Sequence, residues 1–334
     1  MPDAARIDRR NAIAAGLSVL AAPAILRGAT TPASARAAFL SPTAPTHHRL
    51  RFGSFEVTTI LDADVTIDGP WPIVGEDKPQ AEVERLMQDN NLPRTRFRPG
   101  FTPTLVNTGM QLILFDTGNG TDGFVPRPAG GRLSSLLATA GFAPEQIDLV
   151  VLTHCHTDHI GGVMEGGRPL CPNARYVVGA DEFRFWSDEV RLSAAPESNE
   201  RKSALVFRKT LLPLAAATTF VGPGDEVAPG IRAMAAQGHT PGHLAFHVES
   251  EGKRLLIWGD AAHHEVASLA RPDWHVVFDM DKDQGAATRR RLYDMAATDR
   301  LLVAGYHTAF PSLGFVERRE QGYRWVPVTY QFSP

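Results

Sequence analysis

Residues 149–163 read L-V-V-L-T-H-C-H-T-D-H-I-G-G-V, and the fold of the whole chain hangs on this stretch. The apolar run at 147–152 has the length and β-branched content of a buried strand. It delivers residues 154–158 into a polar loop that closes at Gly161-Gly162. His154 and His156 alternate along an extended segment, so both imidazoles face one side, and Asp158 and His159 follow once the chain has turned. Three imidazoles and a carboxylate within six residues are good donors for a borderline divalent ion such as zinc. Chance enrichment of histidine in a polar loop accounts for two of these residues more easily than for all four. Cys155 lies between the two histidines, so its side chain should point the opposite way, into packing.

Working outward, the segment before this strand predicts two more, at Thr104–Asn107 and 111–115, joined by the Thr108-Gly109 turn and ending at Asp116-Thr117-Gly118. A helix is expected over 133–140, with Gly141 placed to end it. Further back, the alternation of Phe52, Phe55, Val57 and Ile60 predicts a hairpin turning at Gly53-Ser54. Between these lies 62–101, rich in Pro and Gly, with Trp71, Phe97 and Phe101 and a helical stretch at Gln80–Asp89. A segment this long and irregular is usually functional or disordered, and its aromatics argue against disorder. It reads as a wall or lid over the site, or equally as aromatic packing beneath a long loop.

Downstream, helices are expected over 180–186 and 198–212, and strands at Arg175–Val178, Ile231–Ala235, 243–248, 254–258 and 301–304. A helix at 284–297 carries Arg289, Arg290 and Arg291, read as a solvated basic face. Four of the strands run directly into polar residues: 111–115 into Asp116, Ile231–Ala235 towards His239, 254–258 into Asp260, and 301–304 into Gly305-Tyr306-His307. Trp186 and Phe207 fit either a pocket wall or an ordinary core.

H-x-H-x-D-H after an apolar strand resembles the signature of the metallo-β-lactamase superfamily. The remaining pieces follow in the expected order: Asp116 in L-I-L-F-D-T-G, His239 in G-H-T-P-G-H, Asp260 in L-L-I-W-G-D and His307 in V-A-G-Y-H. The resemblance covers residues 49–332. Within the superfamily, H-R-L-R-F-G-S-F-E-V-T, V-N-T-G-M-Q-L-I-L-F-D-T-G and G-Y-R-W-V-P-V-T-Y look most like the methyl parathion hydrolase and quorum-quenching lactonase branch. The resemblance implies an α/β fold, a four-layer αββα sandwich. It also implies a metal set in which His154, His156 and His239 hold one ion, Asp158, His159 and His307 hold a second, and Asp260 bridges the two. Asp116, His243 and His263 would support that set from behind, and His263 or His264 stands where some lactonases carry a tyrosine. Trp71, Phe97, Trp186, Phe207 and Phe310 would line the substrate pocket. Homodimerisation is implied by the resemblance alone.

Seven donors exceed the needs of one tetrahedral ion and suit two divalent ions, zinc first, with manganese, cobalt or iron able to use the same donors. Such a pair generates a bridging hydroxide near neutral pH and polarises a carbonyl or phosphoryl oxygen. In that scheme Asp158 and Asp260 are the catalytic carboxylates. No G-x-S-x-G occurs to suggest a serine nucleophile. The expected activity is hydrolysis of a neutral ester, whether a lactone, an aryl ester or a phosphotriester. β-Lactamase and thioester hydrolase activities use the same site; no basic site for a glutathione carboxylate is evident in the sequence, with Arg98, Arg127 and Arg132 unplaced. A reading from another class is a mononuclear iron oxidoreductase of the sulfur dioxygenase type.

Residues 1–37 read as an export signal of the twin-arginine type. Arg9-Arg10 precede a mildly apolar run at 12–26, and small residues at 32–37 offer cleavage after Ala35 or Ala37. Residues 38–334 would then form a single hydrolase domain in the periplasm or outside the cell, with 62–101 covering the pocket and no membrane span in the mature form. The full chain of 334 residues carries a formal charge of −3, and loss of 1–37 removes five arginines against two aspartates. A mildly acidic surface gives no footprint for nucleic acid. The two cysteines, Cys155 and Cys171, are expected to be buried thiols rather than a disulfide.

Overall fold

The computed structural model describes residues 45–329, so the export segment read at 1–37 lies outside the described residues. Two seven-stranded sheets form the centre. The first runs in chain order: β1 (His47–Phe52), β2 (Phe55–Ile60), β3 (Thr104–Asn107), β4 (Leu112–Phe115), β5 (Leu149–Val151), β6 (Arg175–Gly179) and β7 (Thr218–Val221). β1 to β4 pair antiparallel, and β4 to β7 pair parallel. The second sheet contains β8 (Glu226–Ala228), β9 (Ile231–Ala235), β10 (Leu244–Ser250), β11 (Lys253–Ile257), β12 (Leu302–Ala304), β13 (Leu313–Arg318) and β14 (Tyr323–Pro327), again in chain order. Only β11 and β12 are parallel there. Parallel neighbours need a crossover, which is where the helices enter.

The period of two along each strand sorts the core into layers. Leu149 and Val151 of β5 point inward, where they meet Ile231, Phe246, Leu255 and Leu302 of the other sheet. Val150 points outward, onto α2 (Leu133–Thr139), α4 (Ala180–Ser187) and α5 (Asn199–Thr210) through Leu136, Trp186 and Phe207. On the far side, Leu256 and Val303 meet Leu292, Tyr293 and Ala296 of α7 (Lys282–Thr298). The order is helix, sheet, sheet, helix: a four-layer αββα sandwich. Strands covered on both faces must be apolar throughout, and that is why the segment before His154 reads as an unbroken apolar run.

The segment 62–101 is ordered around a short ladder, Ile67–Asp68 with Arg96–Phe97, and α1 (Gln80–Asp89). Val83 and Met87 of α1 pack with Val74, Trp274, Val276 and Ala267 of the short helix α6 (Ala267–Ala270) in a separate apolar cluster. Trp71 belongs to this cluster. Cys155 and Cys171 are free, buried thiols in the outer layer of the first sheet. Arg289 departs from expectation. Its side chain is 2 % exposed and belongs to the buried face of α7, not to a solvated basic face. Among the described residues, no helix is long and apolar enough to cross a membrane.

Candidate metal centre

Every donor sits just beyond the carboxyl end of a strand. β5 leads into His154 and His156, and the one-turn helix α3 (Thr157–Ile160) presents Asp158 and His159. β9, β11 and β12 deliver His239, Asp260 and His307. The edge of an open α/β sheet at its strand ends is where loops from separate strands converge on one place. Gly259 takes φ +54 in the turn before Asp260, and a Cβ there would lie 2.4 Å from His243 Nε2, so only glycine lets the strand turn this close to the histidines.

Seven side chains gather into two groups. His154, His156, His239 and Asp260 form one; Asp158, His159 and His307 form the other; within each, donor atoms lie within 4.8 Å of one another. Asp260 touches both. Its Oδ2 is 3.2 Å from His239 Nε2 and 3.2 Å from His307 Nε2, and its Oδ1 is 3.0 Å from His159 Nε2. His239 Nε2 and His156 Nδ1 approach to 2.8 Å, and Asp158 Oδ2 lies 3.4 Å from His307 Nε2. His154 Nε2, His159 Nε2 and Asp260 Oδ1 are buried without a hydrogen-bond partner. Buried polar atoms left unpaired cost about 1–3 kcal/mol each, and unpaired donors converging on one point fit a bound cation. Nitrogen and carboxylate donors at this density have the chemistry of two divalent-metal sites.

The electrostatics agree. Burial holds His154 and His156 neutral, with pKa values well below the ordinary histidine range, the form in which imidazole donates to a metal. Burial also works against the charged form of Asp158, but the neighbouring His159 and His307 outweigh it and keep the carboxyl at about 2. For His307, burial is likewise outweighed by Asp260 and Asp158, which raise its pKa to about 10. Carboxylates that favour a cation this strongly will favour a metal ion in its place.

Several residues hold the donors from behind. Asp116, itself at φ +59, receives His159 Nδ1 at 2.9 Å and both the backbone N and Oγ1 of Thr153 at 2.8 Å. His243 packs its ring 5.0 Å from that of His154. His263 lines the cavity with Nε2 3.4 Å from Asp260 Oδ2, and burial lowers its pKa to about 4. His264 turns away, its Nδ1 accepting from the backbone N of Val266 and Ala267.

Four supporting residues escaped the sequence reading. Glu182 of α4 accepts four hydrogen bonds, two of them from Cys155 N and Gly242 N, and so ties the loop of His154 and His156 to the loop of His239. Tyr306 donates to the backbone oxygen of Asp158 at 2.6 Å and stacks on His159 at 3.9 Å between ring centroids. Asp279 and Arg289 stand behind His239. Adjacency to His307 pointed at Tyr306. Glu182 and Trp186, four apart on the buried face of a helix, pointed at a satisfied interior acid.

Above the donors opens a cavity of about 540 Å³. Ile67, Ile73, Phe97, Phe101, Phe124 and Phe278 form its apolar wall, with His156, Asp158, His239, Asp260, His263 and His307 at its lining too. Segment 62–101 thus supplies a wall. Of the predicted pocket aromatics, Phe97 is placed as expected. Trp186 and Phe207 are fully buried in the core with α4 and α5, because helical period puts them on the sheet-facing stripe. Trp71 packs beneath the segment, and Phe310 is not among the lining residues.

A family model described as the metallo-beta-lactamase superfamily matches residues 102–305. Among curated proteins, an N-acyl homoserine lactonase of Bacillus cereus is 25 % identical over 166 residues, covering 46 % of this chain and 57 % of that protein. A second N-acyl homoserine lactonase, from a Bacillus species, is 30 % identical over 121 residues, covering 36 % and 40 %. The chain spans about half the length of the curated relatives it matches. Among solved structures, the dizinc quorum-quenching lactonase AidC, in complex with a product, superposes with a TM-score of 0.78 at 25 % identity, covering 85 % of this chain and 98 % of that one. The hydrolase AbOPH of the beta lactamase superfamily gives 0.78 at 25 %, covering 87 % and 100 %.

Proposed function

This chain belongs to the metallo-β-lactamase superfamily, and we propose that within it the protein is a two-metal hydrolase of neutral esters, with a lactone as the preferred substrate class. The observation that carries the proposal is the placement of seven donors, in two groups joined by Asp260, at an apolar cavity of about 540 Å³. Lactones are the substrates named for the similar lactonases.

His154, His156 and His239 would hold one ion and Asp158, His159 and His307 the other, with Asp260 between them, and zinc is the ion of AidC. When bound, two such ions lower the pKa of a water to near neutrality and polarise the ester carbonyl. The chain does the rest. Phe97, Phe101, Phe124 and Phe278 hold the apolar part of the substrate and exclude water. Of the carboxylates lining the cavity, Asp158 and Asp260 belong to the donor groups and are placed to take a proton from the attacking water. His263, kept neutral by burial, has ring nitrogens without a hydrogen-bond partner and can donate one N–H to a substrate oxygen.

Charge selects against the two other hydrolase readings. A β-lactam or a glutathione thioester brings a carboxylate, and Lys202 is the one cationic Lys or Arg in the cavity lining, already 3.1 Å from Glu197. Arg98 pairs with Asp64 and Arg127 with Glu165, while Arg132 donates to the backbone oxygens of Leu61 and Asp62. Initial rates on an N-acyl homoserine lactone, an aryl ester, a phosphotriester and a cephalosporin test this. The lactone should turn over fastest; turnover of the cephalosporin alone would overturn the proposal. Export is proposed on residues 1–37 alone, and recovery of a shortened N-terminus from the periplasmic fraction would test it.

A further inference from the structure

We propose that Asp279 and Arg289 form a buried relay that fixes one tautomer of His239 and so sets the affinity of the metal site made by His154, His156 and His239. The inference rests on the two-ion reading above. His239 Nδ1 lies 3.0 Å from Asp279 Oδ1, and Asp279 Oδ2 accepts from Arg289 Nη1 at 2.5 Å. The Asp279 side chain is fully buried and that of Arg289 is 2 % exposed. Arg289 places two further donors, Nε and Nη2, on the backbone oxygens of Pro272 and Trp274, both at 2.9 Å, so the guanidinium is held in place. A carboxylate facing Nδ1 places the proton there and leaves the Nε2 lone pair free, on the side where His156 and Asp260 lie.

The surrounding backbone is shaped for this arrangement. The loop bearing His239 is clamped by the first turns of α7 and the strand of chain before it: Met280 N bonds His239 O, Asp281 N bonds Gly238 O, and Thr288 Oγ1 bonds Gln237 O. Gly285 lies inside α7, where glycine costs about 1 kcal/mol relative to alanine. A Cβ at that position would lie 2.5 Å from Asp279 Oδ2, and a Cβ on Gly238 would lie 2.3 Å from Gly285 N. The helix tolerates a weak residue so that the carboxylate can pass. The two metal sites are therefore backed unequally. Among the described residues, Asp116 behind His159 meets Thr153 and the imidazole but no Lys or Arg, whereas Asp279 is neutralised by Arg289. Perturbing the relay should act on one ion of the pair.

Asp279 and Arg289 are not among the residues lining the cavity above the donors and are positioning residues. Zinc affinity of the full chain, loaded with zinc, is measured by competition with a chromophoric chelator for wild type, Arg289→Lys and the double variant Asp279→Asn with Arg289→Gln. The double variant removes both charges together, since stripping one partner from a buried pair threatens folding. One of two ions should weaken by about 10–100-fold, the range for partners behind a ligating histidine, while the other is unchanged. Arg289→Lys should fall between, and the Nδ1–H signal of one imidazole should change in nitrogen-15 spectra. Gly285→Ala, which keeps every group and only crowds Asp279, should shift the same ion. Superimposable chelator curves, or equal weakening of both ions, would show a merely structural pair and overturn the relay. A wild-type protein that binds fewer than two ions would overturn the two-ion reading along with it.

Discussion

Replacing Glu182 by glutamine should loosen two metal-bearing loops at once. The carboxylate lies in the interior and faces four donors: Cys155 N at 2.8 Å and Trp186 Nε1 at 2.7 Å on Oε1, Thr240 Oγ1 at 2.7 Å and Gly242 N at 3.0 Å on Oε2. In Glu182→Gln the amide oxygen can keep Cys155 N and Trp186 Nε1. The amide nitrogen then meets Thr240, whose hydroxyl can turn to accept, and Gly242 N, which cannot. One buried N–H stranded costs about 1–3 kcal/mol, and bonds to a neutral oxygen are weaker by about 1 kcal/mol each, partly offset by not burying a charge. The net expectation is a loss of about 2–3 kcal/mol. Glu182→Leu strands three N–H donors and should cost about 5 kcal/mol, a large share of a typical domain's stability. Urea unfolding of the zinc-loaded protein measures both as a shift in midpoint at constant slope. A Glu182→Gln protein within about 0.5 kcal/mol of wild type would refute the reasoning, as would equal losses in the two variants.

Other consequences can be checked individually. Burial raises the Cys171 pKa to about 12 and that of Cys155 well above the ordinary thiol range, so neither thiol should be ionised at pH 8. An alkylating reagent should therefore find no thiol in the native protein and two after denaturation; native reactivity would contradict the packing. Phe97→Ala should raise KM for a lactone with a long acyl chain by about tenfold, as removal of aromatic wall area predicts, and should leave a short-chain lactone nearly unaffected. Equal effects on both would remove Phe97 from the apolar wall. Gly285→Ala, in spite of improving helix propensity by about 1 kcal/mol, should lower the thermal midpoint, because its Cβ meets the Asp279 carboxylate. A raised midpoint would show that the helix accommodates the methyl group freely.

The donor set was readable because it is written locally: His154, His156, Asp158 and His159 fall within six residues, and the other three follow apolar strands. The four-layer sandwich was implied by the resemblance, but the order in which strand after strand pairs with its sequence neighbour is set by contacts between distant segments and was not read from the sequence. What was missed lies in long-range partnerships. Asp279 is 40 residues from His239, and no local pattern couples them. Arg289 looked like surface because it opens a run of three arginines. Yet Gly285, Ala286, Arg289, Leu292, Tyr293 and Ala296 repeat at helical spacing and are all buried, so the period placed Arg289 inside while its charge argued for outside. Trp186 and Phe207 were ambiguous for the converse reason: size and aromaticity suit a core and a pocket equally, and only the sheet beneath them decides.

The most direct measurement is the metal content of the purified protein, taken together with lactone hydrolysis in wild type and Asp260→Ala. Two divalent ions per chain are expected in the wild type. Replacing the carboxylate that reaches both groups should lower occupancy and abolish turnover together. A single iron per chain with no ester hydrolysis, or full activity in Asp260→Ala, would contradict the account.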